Sequence, residues 1–172
     1  GKQEIVVAAL NPPPPPVEKW IWSEELQENQ KVWFQKVFTL QTEPKSGELW
    51  VAVDDQADVW LNGCMTRRFT GWTEVQPFPI TRGILKKGEN VISVEATNGT
   101  GPAALLIRIE IDTPTDKNVI GSDNKWQVFS EQPDGWPSVP KREGANAKEI
   151  ANLDVATSLY KLNKWPTLQD TN

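Results

Sequence analysis

The hydrophobic and polar positions of this chain alternate with a period of two over several short segments, which is the pattern of β-strands. Turn signals such as Asn62-Gly63 separate these segments. Short strands with frequent turns predict an all-β, two-sheet sandwich. The predicted strands are 20–22, 31–40, 48–54, 57–61, 91–96, 104–111, 119–121 and 126–129.

Three parts of different character divide the chain. Residues 1–16 are an N-terminal arm that ends in five prolines, Pro12 to Pro16, and are predicted to form a stiff spacer or a rod that docks in an aromatic groove. Residues 17–130 contain the strand pattern and form the predicted sandwich domain, with a looser stretch at 64–89. Residues 131–172 are rich in turns, with one weak helix signal at 148–153, and are predicted to be an irregular tail packing on the sandwich.

Strand alternation divides the tryptophans into inward and outward ones. Aliphatic residues at 49, 51, 53, 59 and 61 mark the core face of two neighbouring segments. The outer face then takes Trp50, Asp54, Asp58 and Trp60. If 54–56 is a tight turn, the two strands pair antiparallel, and the indoles of Trp50 and Trp60 become neighbours, about 5 Å apart at Cβ.

Two exposed indoles side by side need a cover. Either the chain itself supplies it, from the 113–172 tail or the N-terminal arm, or a ligand does. A sugar fits the second case, because its C–H face packs on aromatic rings while nearby Asp54, Asp58 and Asn62 bind its hydroxyl groups. Trp72 and Trp136 occur in loop-like contexts and are either plugs over a sandwich end or binding residues. We assign the remaining tryptophans to packing, namely Trp20, Trp22, Trp33, Trp126 and Trp165.

The amino-acid composition excludes several classes of partner and of active site. The chain has 172 residues, nine tryptophans, one tyrosine, no histidine and a net charge of −5. That charge argues against nucleic acid as a partner, and Arg67-Arg68, the tightest basic pair, is interpreted as a solvated turn. No apolar run is long enough to span a membrane. Without histidine, and with Cys64 as the single cysteine, histidine-based nucleophile systems and zinc clusters are excluded. We therefore expect no catalysis by this chain and a buried, inert Cys64.

Several segments resemble the galactose-binding-fold sandwich domains that are attached to α-L-rhamnosidases and family 2 glycoside hydrolases. The similarity covers roughly residues 17–130 and is carried by 20–22, 33–40, 53–63, 80–98, 101–106 and 122–126. It implies a jelly roll of eight or nine strands, which often binds carbohydrate or braces a neighbouring catalytic domain. Many such domains carry a calcium loop. No such loop aligns here, and Asp54, Asp55 and Asp58 are better interpreted as a polar turn, so no cofactor is expected, with calcium as the alternative.

Two functions are therefore expected for this chain. The first is a lectin-like carbohydrate-binding module that presents outward tryptophans to a polysaccharide or glycan, through Trp50, Trp60, Asp54, Asp58, Asn62, Trp72 and Trp136. The alternative is a structural module that docks by protein–protein interaction onto a larger enzyme or another subunit of an extracytoplasmic assembly. Both place the protein outside the cytoplasm, as a secreted, periplasmic or cell-surface chain.

Overall fold

The computed structural model describes residues 18–140 and 143–150. Within this part of the chain the regular secondary structure is entirely β, and all strand pairs are antiparallel. None of the described residues lies in a helix long and apolar enough to cross a membrane. The strands are β1 (Ile21–Trp22), β2 (Gln30–Leu40), β3 (Ser46–Leu61), β4 (Cys64–Ile80), β5 (Gly88–Asn98), β6 (Ala104–Asp112), β7 (Lys117–Gly121), β8 (Gln127–Phe129), β9 (Ala145–Asn146) and β10 (Lys148–Glu149).

Strand β3 divides the fold into two layers. Its first half, from Ser46 to Asp54, pairs with β6, and its second half, from Gln56 to Leu61, pairs with β5. The front sheet therefore has the order β10-β1-β6-β3-β4, with β7 also beside β6. The back sheet has the order β9-β8-β2-β5-β3-β4. The result is the all-β, jelly-roll-like sandwich that the strand pattern predicts.

The core lies between the two sheets and takes the inward residues of both. These residues are fully buried and include Leu49, Val51, Val53, Ile107 and Ile109 from the front sheet and Phe34, Val59, Leu61, Ile92 and Val94 from the back sheet. The inward positions predicted for β3 are thus confirmed. Burial of Trp20, Trp22 and Trp126 confirms their assignment to packing, whereas Trp165 lies outside the described residues.

The predicted turn at 54–56 is wrong, and with it the pairing of Trp50 with Trp60. Residues Ser46–Leu61 form one strand, and Asp54 and Asp55 mark the point where it leaves the front sheet and joins the back sheet. Polar residues are tolerated at this point because a strand that passes from one sheet to the other interrupts its alternation of buried and exposed residues without reversing direction. Trp50 consequently lies on the front sheet and Trp60 on the back sheet, and no joint site is formed.

Other expectations also fail for identifiable reasons. The looser stretch after Gly63 is the long strand β4, which pairs only with β3 and has an irregular register between Gly71 and Gln76, so that its alternation is broken. Arg68 is part of this strand rather than of a turn. Strand β6 is buried on both faces from Ala104 to Ile109, because further side chains cover its outer side.

Two remaining differences concern Cys64 and the tail. Cys64 is exposed, since it begins β4 directly after the Asn62-Gly63 turn. Where the structure describes the predicted helix at 148–153, it forms the short strand β10 beside β1. Both β9 and β10 come from the segment after residue 130, so this segment contributes edge strands to both sheets. The proline run, Pro12 to Pro16, lies outside the described residues.

Candidate functional site

A row of five side chains crosses the outer face of the back sheet. The strand register places them side by side, one from each of five neighbouring strands: Phe129, Trp33, Glu95, Asp58 and Arg68. Their sequence neighbours Phe34, Val94 and Val59 point into the core, so these five point outward. Four inter-strand spacings give the row a length of about 19 Å. We call it the outer row.

Hydrogen bonds and ion pairs hold the outer row in place. The Trp33 indole Nε1 donates to Glu95 Oε1 at 2.9 Å, and Lys31 Nζ lies 3.8 Å from Glu95 Oε2. Arg68 donates two hydrogen bonds to Asp58, from Nε to Oδ1 at 2.8 Å and from Nη2 to Oδ2 at 3.1 Å. These hydrogen bonds and the charge of Asp58 raise the pKa of Arg68 above its usual value. The side chain of Arg68 is 59% exposed, so its other N–H groups face solvent.

Residues 133–139 form a ledge that lies over the next row of the same sheet. Gln35 Nε2 donates to the carbonyl oxygen of Val139 at 3.2 Å, and Ser93 Oγ donates to that of Pro137 at 2.8 Å. A side chain at Gly63 would collide with Ser138. The ledge is therefore fixed to the sheet through β2, β5 and the β3–β4 turn, and it forms one wall along the outer row.

The ledge brings Trp136 against Trp60. The two rings meet edge to face, with centroids 5.7 Å apart and planes at 78°, a favourable geometry for aromatic pairs. Trp60 is the neighbour of Asp58 on the same face of β3, so the aromatic corner adjoins the outer row. Trp136 Nε1 is buried and has no hydrogen-bond partner among the described residues.

The sequence-predicted residues thus separate into two groups. Trp60, Asp58 and Trp136 come together on the back sheet, beside the outer row. Trp50 lies on the front sheet, where it packs on a second apolar cluster that is covered by the chain itself, through Trp20 and Ile150. Trp72 is 38% exposed in the irregular part of β4. Neither Trp50 nor Trp72 adjoins the outer row.

Asn62 holds a turn rather than facing the row. Its φ of 49° is in the left-handed region that asparagine tolerates. Its Nδ2 donates to the Ile84 carbonyl oxygen and to Asn90 Oδ1, both at 2.8 Å, and its Oδ1 accepts from Val91 N at 2.8 Å. The whole amide group is thus used inside the protein.

Asp54 stands where β3 changes sheets. Burial, a hydrogen bond to Asp55 and the charge of Asp55 raise its pKa from 3.8 to about 6. Asp55 Oδ2 also accepts from Gly99 N at 2.6 Å. Asp58, the third possible calcium ligand, is held by Arg68 on the back sheet. In the described ranges no group of three or more histidine, cysteine, aspartate or glutamate side chains is placed to hold a metal ion.

The assignment of Trp33 to packing is wrong, because this half-buried residue lies in the outer row. Glu95, Arg68 and Phe129 also belong to the row and were not predicted as site residues. For Trp33 a signal was available: Val32 and Phe34 mark the core face of β2, so the residue between them must point outward. Arg68 gave no such signal, because its strand has no clear alternation. Glu95 and Phe129 are brought to the row by strand pairings that are distant in sequence.

Known structures share this fold. An α-L-rhamnosidase of Streptomyces avermitilis, complexed with L-rhamnose, has a TM-score of 0.70 at 23% identity, over 80% of this chain and 15% of that chain. A lectin from Pleurotus ostreatus has a TM-score of 0.71 at 23% identity, over 81% of this chain and 43% of that chain. The α-L-rhamnosidase from Dictyoglumus thermophilum has a TM-score of 0.67 at 16% identity, over 78% of this chain and 21% of that chain.

These similarities establish the fold and not the ligand. The chain spans less than half the length of each of these three chains. No protein-family model matches the sequence, and a search of curated proteins finds no match. The likeness expected from the sequence, to sandwich domains attached to α-L-rhamnosidases, is confirmed at the level of the fold: this chain has the jelly-roll-like β-sandwich of these structures.

Proposed function

We propose that this chain is a non-catalytic carbohydrate-binding module that binds a glycan on the outer row and the adjoining Trp60–Trp136 corner. The observation that carries the proposal is a sheet face on which, among the described residues, half-buried indole rings lie beside fixed hydrogen-bonding groups. Sugar rings have an apolar C–H face that packs on indole, and a rim of hydroxyl groups. Glu95 accepts hydrogen bonds from hydroxyl groups, and the outward N–H groups of Arg68, which Asp58 holds in place, donate to them.

The fold likeness supports this proposal, since the Pleurotus ostreatus lectin is also described in complex with GalNAc. The absence of a catalytic role is part of the proposal. Each carboxylate in the row already has a cationic partner, Asp58 with Arg68 and Glu95 with Lys31. A glycosidase needs two carboxyl groups that are free to act as acid and as base or nucleophile. We also propose an extracytoplasmic location, where such glycans occur.

Two substitutions in the aromatic corner test this function. We expect Trp136→Ala to weaken retention by a bound neutral polysaccharide at least about tenfold, since aromatic anchors dominate binding energy. Trp60→Ala should act similarly. Affinity gel electrophoresis measures the retention, and thermal unfolding shows that each variant is folded. The matched control is Trp72→Ala, which removes an exposed indole away from the row. An unchanged affinity of Trp136→Ala, or an equal loss in Trp72→Ala, would contradict the proposed site.

A second candidate function has one specific observation in its favour. Met65 and Val139 are 48% and 55% exposed, and both lie next to the aromatic corner. Exposed apolar side chains beside tryptophan also suit a protein partner. A docking module would give a blank glycan array, and the pure chain would self-associate or bind a partner subunit. Met65→Lys would then abolish that association.

A further inference from the structure

A large groove opens at one end of the outer row. It has a volume of about 970 Å³, which is within the range of ligand sites. Residues 23–31 form one side, 128–134 form the other, and 143–145 close it. Its volume and its two walls make the groove a candidate binding site.

The groove and the outer row form one continuous surface. Phe129 belongs to both, because it pairs with Trp33 in the row and lines the groove. Pro133 and Asp134 line the groove, and the same segment continues as the ledge to Trp136. Lys31, a further lining residue, precedes Trp33 by two positions on the same face of β2. A ligand that lies along the row therefore reaches the groove at Phe129.

The length of this surface indicates the length of the ligand that it can bind. The row alone is about 19 Å long, and the groove extends it past Phe129. A single sugar ring bound at the Trp60–Trp136 corner would leave the groove empty of contacts. A short linear oligosaccharide reaches from the corner to the groove.

The charge of the groove determines which charge its ligand can carry. Among the described residues that line it, five carry carboxylates, namely Glu24, Glu25, Glu131, Asp134 and Glu143, and one, Lys31, carries an ammonium group. Among the described residues, only Glu25 of these five has a hydrogen-bond partner, and none has an ion pair. Carboxylates accept hydrogen bonds from sugar hydroxyls and repel a second carboxylate or a sulfate.

We propose that the ligand is a linear, uncharged oligosaccharide that spans the outer row and the groove, and that glycans carrying uronate or sulfate groups are rejected. The inference rests on the proposed glycan-binding function and adds two properties to it, chain length and charge. The Trp60–Trp136 corner provides the apolar contact at one end, and the groove carboxylates provide hydroxyl contacts at the other.

The test starts from an array of neutral polysaccharides, with β-1,4-galactan, β-1,4-glucan and β-1,4-mannan among them, and polygalacturonan as the acidic probe. Oligomers of one to six sugars from a retained neutral polysaccharide are then titrated calorimetrically. We expect affinity to rise at least about tenfold from one sugar to four, equivalent to 1.4 kcal/mol. Polygalacturonan should not be retained.

The second experiment reverses the charge of the groove. Glu131 and Glu143 are both exposed, so the double variant Glu131→Arg/Glu143→Arg should fold. We expect it to bind the four-sugar oligomer about tenfold more weakly, the single sugar within about twofold of the parent, and polygalacturonan measurably. Glu74→Arg, at an exposed acid of β4 outside the groove, is the matched control and should change none of these values.

The outcomes separate the two proposals. Equal affinity for one and four sugars, or retention of polygalacturonan by the parent, overturns the inference while a loss in Trp136→Ala still supports glycan binding. Groove variants that behave like Glu74→Arg overturn it as well. An array on which nothing is retained overturns the proposed function and the inference together.

Discussion

The two outer faces of this sandwich receive residues from the same strand and differ in what lies over them. On the front sheet, Trp50 and Ala52 of β3 join Val75, Ala104 and Leu106 in an apolar cluster that Trp20 covers. On the back sheet, Asp58 and Trp60 of β3 join charged and aromatic neighbours, and of the segments that the structure describes the ledge reaches across. Within residues 18–140 and 143–150, the front face carries a second apolar cluster, whereas the back face carries charged and aromatic side chains.

The comparison shows that strand alternation identifies an outward position but not its environment. Trp50 and Trp60 have the same parity on β3, and both are outward with respect to the central core. Both indoles are half-buried, and they differ in their neighbours. Trp50 packs on the apolar cluster around Trp20, whereas Trp60 contacts Trp136 and lies beside Asp58. An outward tryptophan can therefore be assigned to packing or to binding only when the segment that covers it is known.

The strongest test of this comparison is Trp20→Ala. Trp20 is only 2% exposed, and deletion of a buried tryptophan leaves a large cavity, so we expect a loss of about 3–5 kcal/mol in the free energy of unfolding. Chemical denaturation measures it. Trp136→Ala, on the other face, should cost clearly less stability and instead weaken glycan binding. A Trp20→Ala protein as stable as the parent would show that the front face is not a second core.

A smaller effect is expected at the turn beside the ledge. Asn62→Gly keeps the left-handed backbone but removes the three hydrogen bonds of the amide. We expect a loss of about 1–3 kcal/mol in unfolding free energy, measured with urea, and a glycan affinity within about twofold of the parent. A selective loss of binding at unchanged stability would instead assign Asn62 to the site, as the sequence suggested.

Local pattern was sufficient to predict much of the fold. Strand length, composition and turn signals located β2, β5 and β6, and alternation gave the correct inward residues of β3. It failed at Asp54-Asp55, since a polar pair is compatible both with a turn and with a strand that changes sheets. It also failed along β4, an edge strand whose register is irregular.

The candidate site could be predicted only in part. Asp58, Trp60 and Trp136 were named from local context, but their proximity depends on the ledge, which returns over the sheet after β8. The row itself is made by pairings between strands far apart in sequence, such as Trp33 with Glu95 and with Phe129. No local pattern encodes such pairings, so the row, its length and its groove required the structure.

The smallest expected effect is at Asp54, on the boundary between the two faces. Its pKa is raised to about 6 in the folded protein from an ordinary value of 3.8. The folded state thus binds this proton more tightly than the unfolded chain does, and the ionised form destabilises the fold above pH 6. This destabilisation should fade as the pH falls through 6 toward 4.

Asp54→Asn mimics the protonated carboxyl group and keeps a donor for Asp55. We expect it to raise Tm by about 1–3 °C at pH 7.5, and the difference from the parent should shrink toward zero near pH 4. Differential scanning calorimetry across this range measures both proteins, with Glu74→Gln as the control at an exposed acid of β4. A difference that does not change with pH would mean that Asp54 is ionised in the fold without cost, and that the junction between the front and back sheets is as well solvated as an ordinary turn.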